Sequence, residues 1–226
     1  MALRDIRYIL FDLDNTLLDF NYSSKQAFLA TCKVLGIPRN DETYQVYKNI
    51  NHELWSKLEK GEITTDQLKV LRWKFLMDYV HSAGSPEIAN DFYLSQLVEH
   101  TRFKKYGRKL VEKSSKTYGI SIITNGLKEV QRKRILKSGV ESKFDHVVIS
   151  EEIGWAKPAY EYFEHIHTLI GKPCKSSVMV VGDNLTADIM GGDSFGYRTC
   201  WLNTDETLQA PDLNIRHLGE LLQLIK

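Results

Sequence analysis

Tyr8-Ile9-Leu10-Phe11-Asp12-Leu13-Asp14-Asn15-Thr16 is the stretch from which the fold is read. Its first half is apolar and rich in strand-favouring residues, the composition of a short strand buried on both faces. It then breaks into two carboxylates one residue apart, Asp12 and Asp14. Side chains alternate along an extended strand, but past its end the backbone can turn both acids toward one crevice. Open α/β sheets bind ligands at the carboxyl ends of their strands, so the pair marks a candidate site. For two acids alone, a solvated loop is the competing reading.

Further strand patterns follow only in the second half. Residues 120–123, 147–149, 178–181 and 199–202 read as strands. They alternate with helical stretches at 107–118, 127–137, 159–170, 185–190 and 218–225. Gly139 closes the second of these, and Gly191 and Gly192 loosen the end of the fourth. Such alternation predicts a Rossmann-like α/β core, a parallel sheet with helices on both faces.

Between lie four helical patterns without a convincing buried strand. Ser23 is placed to cap a helix ending at Leu35, before Gly36. Asp41 is placed to cap a second, with Tyr44, Tyr47, Ile50, Leu54 and Leu58 at helical spacing and Gly61 at its end. Thr64 and Gln67 form a capping-box signal, and Ser85-Pro86 opens a fourth. The strand at 8–11 has no sheet of its own in the first hundred residues. It must join the later sheet, so the four-helix segment is an insertion. The expected domains are a core of 1–20 with 103–226, and an all-α domain of 21–102.

Composition narrows the function. Of the 226 residues 42% are hydrophobic and 26% charged, which is ordinary for a soluble globular protein rather than a disordered one. A net charge of +1 lacks the basic excess that a nucleic acid polymer demands. The local cluster Arg132-Lys133-Arg134 reads as a solvated helix face. Cys32, Cys174 and Cys200 are widely spaced with no Cys-x-x-Cys pair, which speaks against disulfides or zinc and fits a reducing cytoplasm. No run has the length of a signal peptide core or a membrane span. Monomer and homodimer both remain open.

Three more strand ends carry polar residues. The strand at 120–123 runs into Thr124-Asn125-Gly126, a hydroxyl and backbone N–H groups opening a helix, which suits a phosphate; Thr124 reads equally as a helix cap. Lys157 stands before Pro158, which is placed to open a helix; a lone lysine is usually a surface residue. The strand at 178–181 runs into Gly182-Asp183-Asn184, with Asp188 beyond. Together Asp12, Asp14, Thr124, Lys157, Asp183 and Asp188 form one constellation. Several carboxylates in one crevice repel unless a cation neutralises them. A set of hard oxygen donors without His or Cys points to Mg²⁺, and a lysine and a hydroxyl beside it suit phosphoryl oxygens.

Asp12-Leu13-Asp14-Asn15-Thr16 resembles the Asp-x-Asp-x-Thr motif of the haloacid dehalogenase-like hydrolase superfamily, and the later stretches follow in that superfamily's order. The resemblance implies a helical cap inserted after the first motif. It also implies Asp12 as nucleophile and Asp14 as general acid, then base. Mg²⁺ would be held by the side chains of Asp12 and Asp183 and the carbonyl of Asp14, with Asp188 helping through a water. Thr124, Asn125 and Lys157 would bind the phosphoryl group. Dehalogenases lack an acid at the Asp14 position, so its presence argues for phosphomonoester hydrolysis through an aspartyl-phosphate. Receiver domains use similar parts, but their phospho-accepting Asp lies mid-chain and they carry no helical insertion. A phosphate-binding protein with a silent site is the non-enzymatic alternative.

For the substrate, residues 10–20, 149–154, 182–192 and 199–203 resemble the bacterial pyrimidine 5′-nucleotidases. N-acylneuraminate-9-phosphatases share Thr124-Asn125-Gly126, and phosphoglycolate phosphatases resemble the chain less. The expected ligand is thus a small phosphomonoester, first of all a nucleoside 5′-monophosphate. Aromatic residues of the insertion, Tyr22, Tyr47, Trp55 and Trp73, are candidates to meet a base or to form its core. Phe20 and Tyr22, nearest the nucleophile in sequence, are the expected base-facing wall.

Overall fold

A computed structural model describes residues 3–203 and 212–225. Six strands form one parallel sheet: β1 (Tyr8–Asp12), β2 (Gly119–Thr124), β3 (His146–Ile149), β4 (Val178–Gly182), β5 (Arg198–Leu202) and β6 (Leu213–Ile215), in the order β3-β2-β1-β4-β5-β6. The chain winds outward from β1 on one side and then returns to build the other. The strand order therefore reverses between β1 and β4, where such sheets open a crevice at their carboxyl edge. Asp12 lies opposite Ile123, and Phe11 opposite Val181. This register brings Asp12, Thr124 and Gly182 to about the same level at that edge.

β1 is central because Ile9, Leu10 and Phe11 are completely buried. Their side chains alternate between two cores. Ile9 and Phe11 pack in one with Ile120, Ile122, Met179 and Val181. Leu10 packs in the other with Val178, Val180, Tyr162, Phe163 and Ile166. Each such side chain contributes about 1.5–3 kcal/mol on burial.

The helices are α1 (Phe20–Leu35), α2 (Asp41–Glu59), α3 (Thr65–Tyr79), α4 (Pro86–Glu99), α5 (Gly107–Ser114), α6 (Lys128–Ser138), α7 (Ser150–Ile153), α8 (Tyr160–Leu169), α9 (Gly191–Phe195) and α10 (Leu218–Leu224). Contacts divide the chain into two compact units, Met1–Phe20 with Arg102–Lys226, and Asn21–Thr101. The second unit holds the all-α insertion. Its core is aromatic: Phe28, Tyr47, Trp73 and Tyr93 are buried, with the Tyr47 and Trp73 rings 5.1 Å apart. Tyr47 and Trp73 are thus core residues of this unit. Thr64 and Gln67 make the expected capping box at α3, and Ser85 caps α4 with Pro86 in its first turn.

Several boundaries differ from the sequence reading. α1 starts at Phe20, three residues before Ser23, whose hydroxyl instead donates to the carbonyl of His100. Asn40, not Asp41, caps α2, by accepting from the Thr43 amide. α5 stops at Ser114, and α8 begins at Tyr160 rather than at Pro158. Gly191 and Gly192 do not loosen a helix end. The π-helical turn Leu185–Met190 runs straight into α9, and the glycines serve packing. A Cβ on Gly191 would lie 2.7 Å from Phe163, and one on Gly192 3.0 Å from Val180. The edge strand β6 carries only three residues and too short a pattern to be read from sequence. Arg134 is completely buried, whereas its neighbours Arg132 and Lys133 are exposed.

Candidate active site

Asp12 ends β1 with its carboxylate almost buried, at 7% exposure. Beyond it the chain folds back tightly. The Leu17 and Leu18 amides donate to the Leu13 carbonyl at 3.1 and 2.8 Å, and Asn15 takes a left-handed φ of 60°. This turn buries Thr16, whose hydroxyl donates to Asp183 Oδ1 at 3.3 Å. The first and fourth strands are thereby joined through their site residues.

Lys157 holds the centre. Its buried Nζ donates to Asp12 Oδ1 at 2.8 Å, Asp188 Oδ1 at 2.5 Å and the Ile123 carbonyl at 3.1 Å. All three ammonium hydrogens are engaged. Burial alone would lower the Lys157 pKa, but the facing charges of Asp12 and Asp188 outweigh it and raise it. The Asn125 amide braces this lysine, donating to its carbonyl at 2.8 Å and accepting from its N–H at 2.9 Å. Asn125 therefore orients the Lys157 backbone with its side chain.

Asp12, Asp183 and Asp188 can each bring a carboxylate oxygen within 4.8 Å of the others. Desolvation pushes the Asp12 pKa up to about 7; Lys157 opposes this and Asp188 reinforces it. Desolvation, then the charge of Asp12, pushes Asp183 up to about 6. Asp188 is raised as well, by burial first. Three hard carboxylates that resist ionising together are the donor set that a divalent cation relieves, so these residues fit Mg²⁺. Asp188 has both oxygens occupied, Oδ1 by Lys157 and Oδ2 by the Asn184 amide at 3.1 Å. Gly182 makes room for it, since a Cβ there would lie 2.2 Å from Asp188 Oδ2. The Trp201 indole donates to the Asp183 carbonyl at 2.9 Å and fixes the loop from the β5 side.

Asp14 is turned elsewhere. Its Oδ2 accepts from Gln131 Nε2 at 2.8 Å, and its Oδ1 is paired with the Arg134 guanidinium. Gln131 Nε2 also donates to Thr124 Oγ1, at 2.9 Å. Phe20 lays its ring beside Arg134, 5.6 Å from the guanidinium carbon. Tyr22, in the helical unit, sets its ring edge-on to His100 at 6.5 Å.

The structure thus gathers the buried Asp12, Lys157 and Asp188 and the partly exposed Asp183 into one cluster, and links Asp14 to Thr124 through Gln131. Sequence reasoning missed Gln131 and Arg134. The signal was present in α6: Val130, Gln131, Arg134, Ile135 and Ser138 recur at helical spacing and are buried, while 128, 129, 132, 133, 136 and 137 are exposed. A basic residue on the apolar face of such a helix needs an acidic partner.

No helix among the described residues is long and apolar enough to cross a membrane. Residues 9–202 match the family model described as haloacid dehalogenase-like hydrolase. The chain is 32% identical to the pyrimidine 5′-nucleotidase YjjG of Escherichia coli over 96% of its length and 97% of that protein. It is 28% identical to the N-acylneuraminate-9-phosphatase of Rattus norvegicus, over 90% of its length and 85% of that protein. Among solved structures, YfnB of Bacillus subtilis bound to magnesium superposes with a TM-score of 0.88 at 30% identity, over 98% of this chain and 99% of that one. With matches of this extent, the chain belongs to the haloacid dehalogenase-like hydrolase family and stands among its phosphomonoester hydrolases.

Proposed function

We propose that the protein is a Mg²⁺-dependent phosphatase that hydrolyses a small phosphomonoester through an aspartyl-phosphate on Asp12. The observation that carries this reading is the buried Asp12 carboxylate at the end of β1, held by the Lys157 ammonium beside two further carboxylates. Asp12 and Asp183 would hold Mg²⁺ directly, with the Asp14 carbonyl. Asp188, occupied by Lys157 and the Asn184 amide, would act through a water. The cation would neutralise this cluster and the phosphoryl oxygens. The Thr124 hydroxyl at the β2 end and the Lys157 ammonium would bind the phosphoryl oxygens, and phosphoryl transfer needs chiefly such positioning and neutralisation. Asp12 attacks phosphorus as the bond to the leaving oxygen breaks, and Asp14 gives that oxygen its proton. Asp14 then takes a proton from the water that attacks the acyl phosphate, and Asp12 is released.

The substrate proposed is a pyrimidine nucleoside 5′-monophosphate. The support is the similarity to YjjG and, at 29% identity, to the pyrimidine 5′-nucleotidase PynA of Streptococcus pneumoniae. A sugar phosphate is the second reading, from the similarity to N-acylneuraminate-9-phosphatases. In either case we assign choice of the leaving group to the helical unit, with Phe20 and Tyr22 as leaving-group contacts.

Phosphate release is to be measured with Mg²⁺ from UMP, dUMP, dTMP, AMP, N-acetylneuraminate 9-phosphate and phosphoglycolate, with EDTA and Asp12→Asn as controls. Pyrimidine nucleotides leading, with both controls dead, is the expected result. A sugar phosphate leading transfers the protein to the second reading. Turnover surviving Asp12→Asn refutes the nucleophile, and silence across the panel refutes the nucleotidase and sugar-phosphatase readings together.

A further inference from the structure

Asp14 is the residue to which the proposed mechanism gives both proton transfers, yet the Lys157 cluster does not hold its carboxylate. α6 does. Gln131 Nε2 donates at once to Asp14 Oδ2, at 2.8 Å, and to Thr124 Oγ1, at 2.9 Å. Its Oε1 accepts from Arg134 Nη1 at 2.8 Å, and the same Nη1 is paired with Asp14 Oδ1. Asp14, Gln131 and Arg134 thereby close one hydrogen-bonded ring, to which Thr124 is joined through Gln131.

Three observations mark this ring as more than packing. Gln131 and Arg134 are 1% and 0% exposed, and the Arg134 Nε and Nη2 groups have no hydrogen-bond partner. A guanidinium buried with one carboxylate and one amide is costly to fold around, so stability alone does not account for it. Gly126 is shaped to the glutamine, because a Cβ there would lie 2.3 Å from Gln131 Nε2. The Phe20 ring covers the guanidinium from the far end of the loop that carries Asp14.

We propose that Gln131 and Arg134 are positioning residues that hold the Asp14 carboxylate in register with the Thr124 hydroxyl, so that the proton-transfer group and the phosphoryl-holding group are set as one unit. This rests on the reading of Asp14 as general acid and base. Gln131 and Arg134 donate to different oxygens of Asp14, so the two bonds together fix the orientation of its carboxyl group. A misplacement of about 1 Å in such a group costs on the order of 10²-fold in rate.

The test is single-turnover phosphoryl transfer with Mg²⁺ from two esters, UMP and p-nitrophenyl phosphate. The alkoxide of the first needs a proton to leave; nitrophenolate does not. Arg134→Met, Arg134→Lys and Gln131→Met are compared in the wild-type and Asp14→Asn backgrounds, and urea midpoints check folding. Gln131→Met removes no charge and serves if Arg134→Met does not fold. Expected are losses of about 10- to 100-fold on UMP with KM little changed, much smaller losses on p-nitrophenyl phosphate, partial rescue by Arg134→Lys, and no further loss once Asp14 is Asn. Equal losses on both esters, or losses that multiply with Asp14→Asn, reduce the pair to a structural role and overturn the proposal. A wild-type protein active on the nitrophenyl ester, with Asp14→Asn harmless on UMP, instead overturns the underlying reading of Asp14. The two failures are therefore distinguishable.

Discussion

Replacing Asp183 by Asn separates the electrostatic strain of the site from its catalytic use. Asn keeps the size of the side chain and an oxygen to accept from the Thr16 hydroxyl, 3.3 Å away. It removes a carboxylate whose pKa burial and the neighbouring Asp12 push from 3.8 up to about 6. Because the folded state binds this proton more tightly than the unfolded chain, its stabilising contribution is complete below about pH 4 and is lost as pH rises through about 6. A shift of about two units corresponds to at most about 3 kcal/mol. The side chain is partly exposed, so solvent screening makes about 1–2 kcal/mol the working figure. In EDTA, Asp183→Asn is therefore expected to match the wild type near pH 4 and to exceed it in stability by about 1–2 kcal/mol at pH 8. With saturating Mg²⁺ the order reverses, because the wild type gains ligand binding energy and the variant lacks a donor. Urea unfolding at pH 4, 6 and 8, with EDTA or Mg²⁺, measures all of this. A stability difference flat with pH, or a variant less stable than wild type in EDTA at pH 8, refutes the account of the acidic cluster.

Two further substitutions test other levels of the structure. Lys157→Met leaves Asp12 and Asp188 buried without their shared cation, so a stability loss of about 3–5 kcal/mol is expected in EDTA, read as a fall in the urea midpoint. Mg²⁺ restores part of that stability, while steady-state assays show little turnover. Thr64→Ala removes the capping box of α3, far in sequence from the site residues, and is expected to cost about 1 kcal/mol in urea unfolding with kcat unchanged. A fall in kcat beyond the loss of folded protein would refute the separation of this cap from turnover.

The sheet was legible because its code is local. Each buried strand is a short apolar run that ends in polar or glycine residues, and β1 could be paired only with the later strands. Helix starts were legible where a side chain caps its own turn, as at Thr64 and Ser85, and misread where the first turn is set by tertiary contacts, as at Phe20. Gly191 and Gly192 were misread for a related reason. In isolation glycine weakens a helix, but here it admits Phe163, Pro158 and Val180. β6 escaped because three residues do not make a pattern.

The sequence by itself determined most of the chemical groups of the candidate site, Gln131 and Arg134 excepted. Asp12 and Thr124 end strands, Asp14 and Asp183 follow strand ends, and Lys157 and Asp188 lie in the segments after β3 and β4; such positions converge once a parallel sheet forms. Only the tertiary structure decided which group neutralises which. Lys157 stands between Asp12 and Asp188, Asn125 braces the Lys157 backbone, and Arg134, read from sequence as a solvated residue, is buried against Asp14. Asp12 and Lys157 lie 145 positions apart, and Asp14 and Arg134 lie 120 apart. Charge pairing acts through space over a few ångströms, and no local pattern records which distant partner the folded sheet will supply.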